Sequence, residues 1–183
     1  MSNKLRIIGG QWRSRVIVFD DAPGLRPTPA RVRETLFNWL QADVEGSNCL
    51  DLFAGSGALG FEAASRGAKK VIQVENNLKT CQKLKENAST LKAQQIEVVH
   101  ADVQSYLQNC SDRFDLIFLD PPFTQSWVSP VCQQIDSAGL LAPYGKIYIE
   151  TERNLKLDKL PDTWQLLRHK VAGDVGYNLY QQQ

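Results

Sequence analysis

Asp120-Pro121-Pro122-Phe123 has the chemistry needed to hold an amine. Two consecutive prolines stiffen the backbone and stop sheet pairing, because neither carries an N–H. They offer carbonyl oxygens without competing donors. Asp120 adds an anionic acceptor, and Phe123 adds a flat apolar face. A group that needs such a set is the exocyclic amine of a nucleobase, a poor nucleophile because its lone pair is delocalised into the ring. The Asp120 carboxylate and the Pro121 carbonyl can take its two N–H bonds, so that the lone pair turns toward an electrophile. Positioning and electrostatics then supply most of the catalysis. The alkylated nitrogen is strongly acidic, so no strong base is required. Phe123 can stack on the base, which must leave its helix or loop to enter. Alone, the tetrapeptide could also be only a rigid turn.

A second motif runs from Asp51 through Leu52, Phe53, Ala54, Gly55, Ser56, Gly57, Ala58 and Leu59 to Gly60. Gly55, Gly57 and Gly60 satisfy GxGxxG, and Glu75 lies 20 residues beyond Gly55. On spacing alone this is also a dinucleotide fingerprint, with the glutamate on a ribose. Charge separates the candidates. Asp51, Glu75, Asp102 and Asp120 all fall at the ends of strand-like runs, where the ligand crevice of an open parallel sheet lies. Four carboxylates would repel the pyrophosphate of a nicotinamide cofactor. The ammonium and sulfonium of S-adenosyl-L-methionine would be attracted.

The elements that must position these groups alternate in type. Cys49–Phe53, Lys70–Val74, Ile96–His100, Phe114–Leu119 and Lys146–Glu150 read as strands. Ala58–Arg66, Asn77–Leu91, Val103–Cys110 and Ser126–Ala138 read as the helices between them. This alternation predicts an α/β, doubly wound, mainly parallel sheet. Trp164–Val171 and Tyr177–Tyr180, around a turn-like 172–176 segment, add an antiparallel edge and bring the count to seven strands. Ahead of the sheet, residues 5–10 and 15–19 predict a hairpin. Thr28 as N-cap and Pro29 as first helical residue begin a helix running to Gln41.

The chain has 183 residues, 43% hydrophobic and 22% charged, which suits one domain with a small extension. There is no signal-peptide pattern and no apolar run near the roughly 20 residues that span a bilayer, so a cytoplasmic protein without a membrane segment is expected. Cys49, Cys81, Cys110 and Cys132 form no CxxC pair, and His100 and His169 stand apart from them, so no metal site is expected. Net charge is +1, but residues 1–41 carry seven basic side chains against Asp20, Asp21 and Glu34. That division separates a basic, polyanion-facing arm (1–41) from a slightly acidic catalytic domain (42–183). Trp12, Arg13, Arg15, Arg26, Thr28, Arg31 and Arg33 are its candidate RNA contacts. Trp12 could stack on an unpaired base or fill the core, whereas Val32, Leu36, Trp39 and Leu40 read as core.

Together the two motifs resemble the class I, Rossmann-like S-adenosylmethionine-dependent methyltransferases. Arg6-Ile7-Ile8-Gly9-Gly10-Gln11-Trp12-Arg13, Gly24-Leu25-Arg26-Pro27-Thr28-Pro29, Arg31–Asn38 and Lys170-Val171-Ala172-Gly173 with Tyr177 closely resemble the RsmD family, the bacterial 16S ribosomal RNA guanine-N2 methyltransferases. The resemblance covers nearly the whole chain. It implies methyl transfer to the N2 of a guanine in small-subunit 16S rRNA, guanine 966 in the family, by a monomer acting on rRNA or on an assembled subunit. It also implies that Asp51, Phe53, Ala54, Gly55, Ser56, Gly57, Gly60, Glu75, Asn76, Asp102 and Val103 contact the cofactor, with Asp102 at the adenine amine. Ala30 departs from the family, where an aspartate is expected.

Three rival readings carry different signatures. A DNA adenine-N6 methyltransferase shares Asp-Pro-Pro-aromatic but normally needs a target-recognition region for which this chain has little room. An RNA-binding assembly factor without turnover would not need intact carboxylate and cofactor motifs. A nicotinamide oxidoreductase is disfavoured by the acidic crevice.

Overall fold

A computed structural model describes residues 2–123 and 126–183. The chain opens with an antiparallel hairpin, β1 (Ser2–Arg6) and β2 (Val16–Asp20), followed by helix α1 (Ala30–Trp39). Then come β3 (Asn48–Asp51), α2 (Ala58–Ser65), β4 (Lys70–Glu75), α3 (Leu78–Leu91), β5 (Ile96–His100), α4 (Val103–Asn109), β6 (Phe114–Leu119), α5 (Val128–Ser137) and β7 (Leu141–Glu152). The hairpin of β8 (Trp164–Ala172) and β9 (Val175–Gln182) closes the chain.

The main sheet is seven-stranded, in the order β5-β4-β3-β6-β7-β9-β8. The first five strands in that row pair parallel, and β9 lies antiparallel between β7 and β8. This is the doubly wound fold expected from the alternation. Side-chain alternation along each strand feeds two cores. Cys49, Val71, Leu116, Phe118 and Tyr148 enter one, and Leu50, Ile72, Ile117, Ile147 and Ile149 enter the other. Among the described residues no helix is long and apolar enough to cross a membrane.

The N-terminal segment is built into the first of these cores. Ile7, Trp12, Ile17, Val32, Leu36 and Phe37 belong to the same cluster as Cys49 and Phe118, so the boundary at residue 41 does not separate two cores. The first strand lies earlier than the expected 5–10 run. β1 ends at Arg6; Ile7 still pairs across the hairpin with Ser14 and Arg15, but the Ile8 and Gly9 amides turn to the Glu62 carboxylate of α2. Gly10 adopts φ +76, and a Cβ there would sit 1.9 Å from the Ser65 carbonyl oxygen, so only glycine permits this approach. Asn87 of α3 holds the hairpin from the other side, pairing with both the amide and the carbonyl of Val18.

Candidate active site

Chain order in the sheet reverses between β3 and β6: β4 and β5 extend one way, β7 the other. Crevices form at such switch points, beyond the carboxyl ends of the strands. Asp51 ends β3, and Asp120 immediately follows β6. The two motifs therefore meet in space although 69 positions separate them.

On one side lies the glycine loop. Gly55 has φ +52, and a Cβ there would find only ordinary contact with Leu25 at 3.7 Å, so its surface stays open to a ligand. The other two glycines serve packing. A Cβ on Gly57 would lie 2.6 Å from both Leu84 and Phe61, and one on Gly60 would lie 2.3 Å from the Gln73 amide nitrogen. Gly60 is thus inside α2 rather than at the crevice surface, and it reaches the site through an N–H bond to Asp51. Glu75 ends β4 and ties two loops together: it accepts from the Gly55 amide at 3.0 Å and the Asn77 amide at 2.8 Å. Asn76 is exposed, and its carbonyl meets His100 at 3.0 Å. Asp102 caps α4 by accepting from the Ser105 amide at 2.9 Å, and the Ser105 hydroxyl together with that amide holds its carboxyl below the usual range. Val103 packs into the second core. Ser56 accepts from the Ala58 amide, Ala54 is buried beneath the loop, and Phe53 meets Trp127 edge-on at 5.6 Å.

Asp51 tests whether a cationic cofactor suits this crevice. It is buried, and its Oδ2 has no hydrogen-bond partner. Burial pushes its carboxyl up to about 7, against the Gly60 amide, which favours the charged form. A carboxylate left short of donors beneath the loop attracts a cation and repels a pyrophosphate. The ammonium and sulfonium of S-adenosyl-L-methionine fit it.

On the other side of the switch point is a group of hydroxyls and carboxylates. Thr28 Oγ1 donates to Asp120 Oδ2 at 3.3 Å, and the Tyr148 hydroxyl donates to Glu150 Oε2 at 2.9 Å. The Thr28 hydroxyl also favours the charged form of Glu150. Burial raises the proton affinity of Asp120 well above the ordinary carboxyl range, with Glu150 and then Asp51 adding repulsion. Burial raises Glu150 too, opposed by Tyr148, Thr28 and Arg26. A cavity of about 790 Å³ opens beside Pro121, Pro122 and Phe123 and reaches Glu150. Phe123 is 40% exposed and lines that cavity.

Three residues expected to touch RNA have other roles. Thr28 does not cap α1: the helix starts at Ala30 with Pro29 at the cap and no side-chain cap bond, and the hydroxyl goes to Asp120 instead. Arg33 is 2% exposed and pairs with Glu62 at 3.2 Å, while also donating to the Arg6 and Thr28 carbonyls. Trp12, 7% exposed, takes the core option, with its amide bonded to Ser65. Each of the three is held by partners within the protein. Arg13, Arg15, Arg26 and Arg31 remain exposed. Sequence reasoning missed Glu62, Tyr148 and Glu150. Glu150 had a signal, because it ends the fifth strand-like run as Asp120 ends the fourth.

The comparisons with known proteins agree with this geometry. The family described as conserved hypothetical protein 95 matches residues 5–181. Ribosomal RNA small subunit methyltransferase D of Escherichia coli strain K12 is 44% identical over 182 residues, covering 100% of this chain and 92% of that protein. A solved methyltransferase structure from Escherichia coli superposes with a TM-score of 0.93 at 42% identity, covering 98% of each chain. The Thermus thermophilus 16S rRNA N2 G1207 methyltransferase, solved with AdoMet and guanosine, superposes at 0.73 with 26% identity, over 100% of this chain and 50% of that one. An acidic, donor-poor crevice at the switch point, the Asp-Pro-Pro-Phe turn beside it and full-length identity lead to one assignment: the chain belongs to the ribosomal RNA small subunit methyltransferase D family of S-adenosylmethionine-dependent methyltransferases.

Proposed function

We propose that this enzyme transfers one methyl group to the exocyclic N2 of a guanine in the 16S rRNA of the small ribosomal subunit, guanine 966 by resemblance. The observation that carries this reading is Asp120 with Pro121 at the switch point, where Pro121 lines the 790 Å³ cavity. S-adenosyl-L-methionine, when bound, supplies the electrophilic methyl group. Asp51, Gly55, Ser56, Glu75, Asn76 and Asp102 would hold it, with Phe53, Ala54, Gly57, Gly60 and Val103 shaping the loop and crevice.

The Asp120 carboxylate and the Pro121 carbonyl accept the two N–H bonds of the amine and turn its lone pair toward the donor. Pro122 keeps the turn rigid, and Phe123 stacks on the base. Thr28 orients Asp120. The proton that the amine loses has a ready acceptor in Asp120, whose proton affinity is raised by its surroundings. Arg13, Arg15, Arg26 and Arg31 would neutralise RNA phosphates along the exposed edge of the N-terminal segment. We place the enzyme in the cytoplasm, working as a monomer on rRNA or on an assembled subunit.

The test is mass mapping of 16S rRNA after incubation of small subunits with purified protein and isotope-labelled donor. One N2-methylguanine is expected. Label on adenine, or on duplex DNA in preference to rRNA, overturns the reading.

A further inference from the structure

We propose that Glu150 reads the N1–H of the target guanine, making the enzyme accept guanine and refuse a purine with a bare N1 lone pair. The proposal rests on the guanine-N2 reading above and assigns a specificity-determining residue within it.

The argument begins with register. Leu119 of β6 pairs with Ile149 of β7, so Asp120 and Glu150 follow side by side on neighbouring parallel strands and project to the same face. Glu150 is buried, yet it lines the cavity together with Pro121, Pro122 and Phe123. It is therefore aimed at the space where a base stacked on Phe123 would lie. Tyr148, two residues earlier on the same face, donates its hydroxyl to Glu150 Oε2 and fixes the carboxylate.

The chemistry of that edge is one-sided. Ionised carboxylates and a proline carbonyl only accept hydrogen bonds. Asp120, the Pro121 carbonyl and Glu150 thus make a row of acceptors. Guanine presents a matching row of donors, its N2 amine and its N1–H on the same edge. Adenine and 2-aminopurine carry a lone pair at N1, which would face the Glu150 carboxylate and be repelled. The cluster gains by this match, because buried Glu150 and half-buried Asp120 stand side by side, each with its proton affinity raised, and are short of donors. Nothing in the transfer step needs Glu150, which leaves it the task of recognition.

The experiment uses small subunits rebuilt with 16S rRNA carrying either guanosine or 2-aminopurine riboside at the target. Both bases bear an amine at C2, but only guanosine has the N1–H. Wild-type kcat/KM is expected to be roughly 10- to 100-fold higher for guanosine, the scale of one lost base-edge contact. Glu150→Gln is nearly the same shape, and its amide can donate to a bare N1. It should narrow that ratio about tenfold, with part of the change a gain on 2-aminopurine, while the affinity for S-adenosyl-L-methionine stays within a few-fold. A variant that slows both substrates equally means Glu150 only braces Tyr148, and overturns the assignment. So does a wild-type enzyme that accepts 2-aminopurine within about threefold of guanosine, a result that needs no variant to fold. Failure of the wild type on guanosine itself overturns the guanine-N2 reading as well, and is told apart by that control.

Discussion

Around Glu62 every buried charge meets its opposite, whereas at the ends of β3, β6 and β7 three carboxylates gather against amides, hydroxyls and one exposed arginine, Arg26. Glu62 is fully buried and accepts from the Ile8 and Gly9 amides, from Arg33 and from Arg66. Its charge is neutralised and its lone pairs are filled, so the cluster asks nothing of a ligand. It fastens the N-terminal segment to α2. Asp51, Asp120 and Glu150 have raised proton affinities, and one Asp51 oxygen has no partner. Buried charge that is satisfied within the protein serves structure. Buried charge left short of donors marks where ligands complete the site. The two groups are linked, since Arg33 donates to the carbonyl of Thr28 and the Thr28 hydroxyl donates to Asp120.

The contrast can be broken in four places. Asp120→Ala should lower kcat by roughly 10³-fold or more while the affinity for S-adenosyl-L-methionine stays within a few-fold; turnover within tenfold of wild type would remove Asp120 from the reaction. Arg33→Ala leaves the Glu62 charge buried with a single cation. It should cost about 3–5 kcal/mol in urea denaturation, and a loss under about 1 kcal/mol would mean the Glu62 cluster is not what fastens the segment.

Asp51 gives a pH signature. Its folded carboxyl holds a proton up to about 7, above the ordinary value of 3.8 in the unfolded chain. The folded state therefore binds more protons between those values, and the cofactor-free protein loses stability as pH rises from about 4 to about 7. Asp51→Asn should make that slope shallower, leaving the part that Asp120 and Glu150, also raised, contribute with the same sign. Binding of the cationic cofactor to wild type should expel a proton near neutrality, read by calorimetry in buffers of different ionisation enthalpy, and the variant should lose the release. Smallest in stability is the combined Arg13→Ala, Arg15→Ala and Arg31→Ala variant, because these side chains are exposed. Each change should shift stability by no more than about 0.5 kcal/mol. The salt dependence of RNA binding should nonetheless flatten, and an unchanged slope would move the RNA surface elsewhere.

Much of this was legible in the chain. The βα alternation from Cys49 to Glu150 placed the parallel strands, because local periodicity and burial on both faces agree there. The ends of runs placed Asp51, Glu75, Asp102 and Asp120 at the carboxyl ends of their strands, because a parallel sheet puts those ends on one side. Other residues were misread for an equally physical reason. Thr28-Pro29 has the local chemistry of a helix cap, but Asp120, far along the chain, takes the hydroxyl. Arg33 carries the same charge as Arg31 two positions before it, yet α1 turns Arg33 inward to Glu62 and leaves Arg31 in solvent. Exposure of an arginine depends on what the opposite wall offers, which local sequence does not contain.

The order of types along the chain was enough to determine the fold class, the glycine loop and the rigid Asp120–Phe123 turn, since each depends on neighbours within a few residues. Which charges pair and which are left wanting was decided only when β6 came to lie between β3 and β7. That adjacency set Asp120 beside Glu150, and it arises from the packing of the whole sheet rather than from any one segment of it.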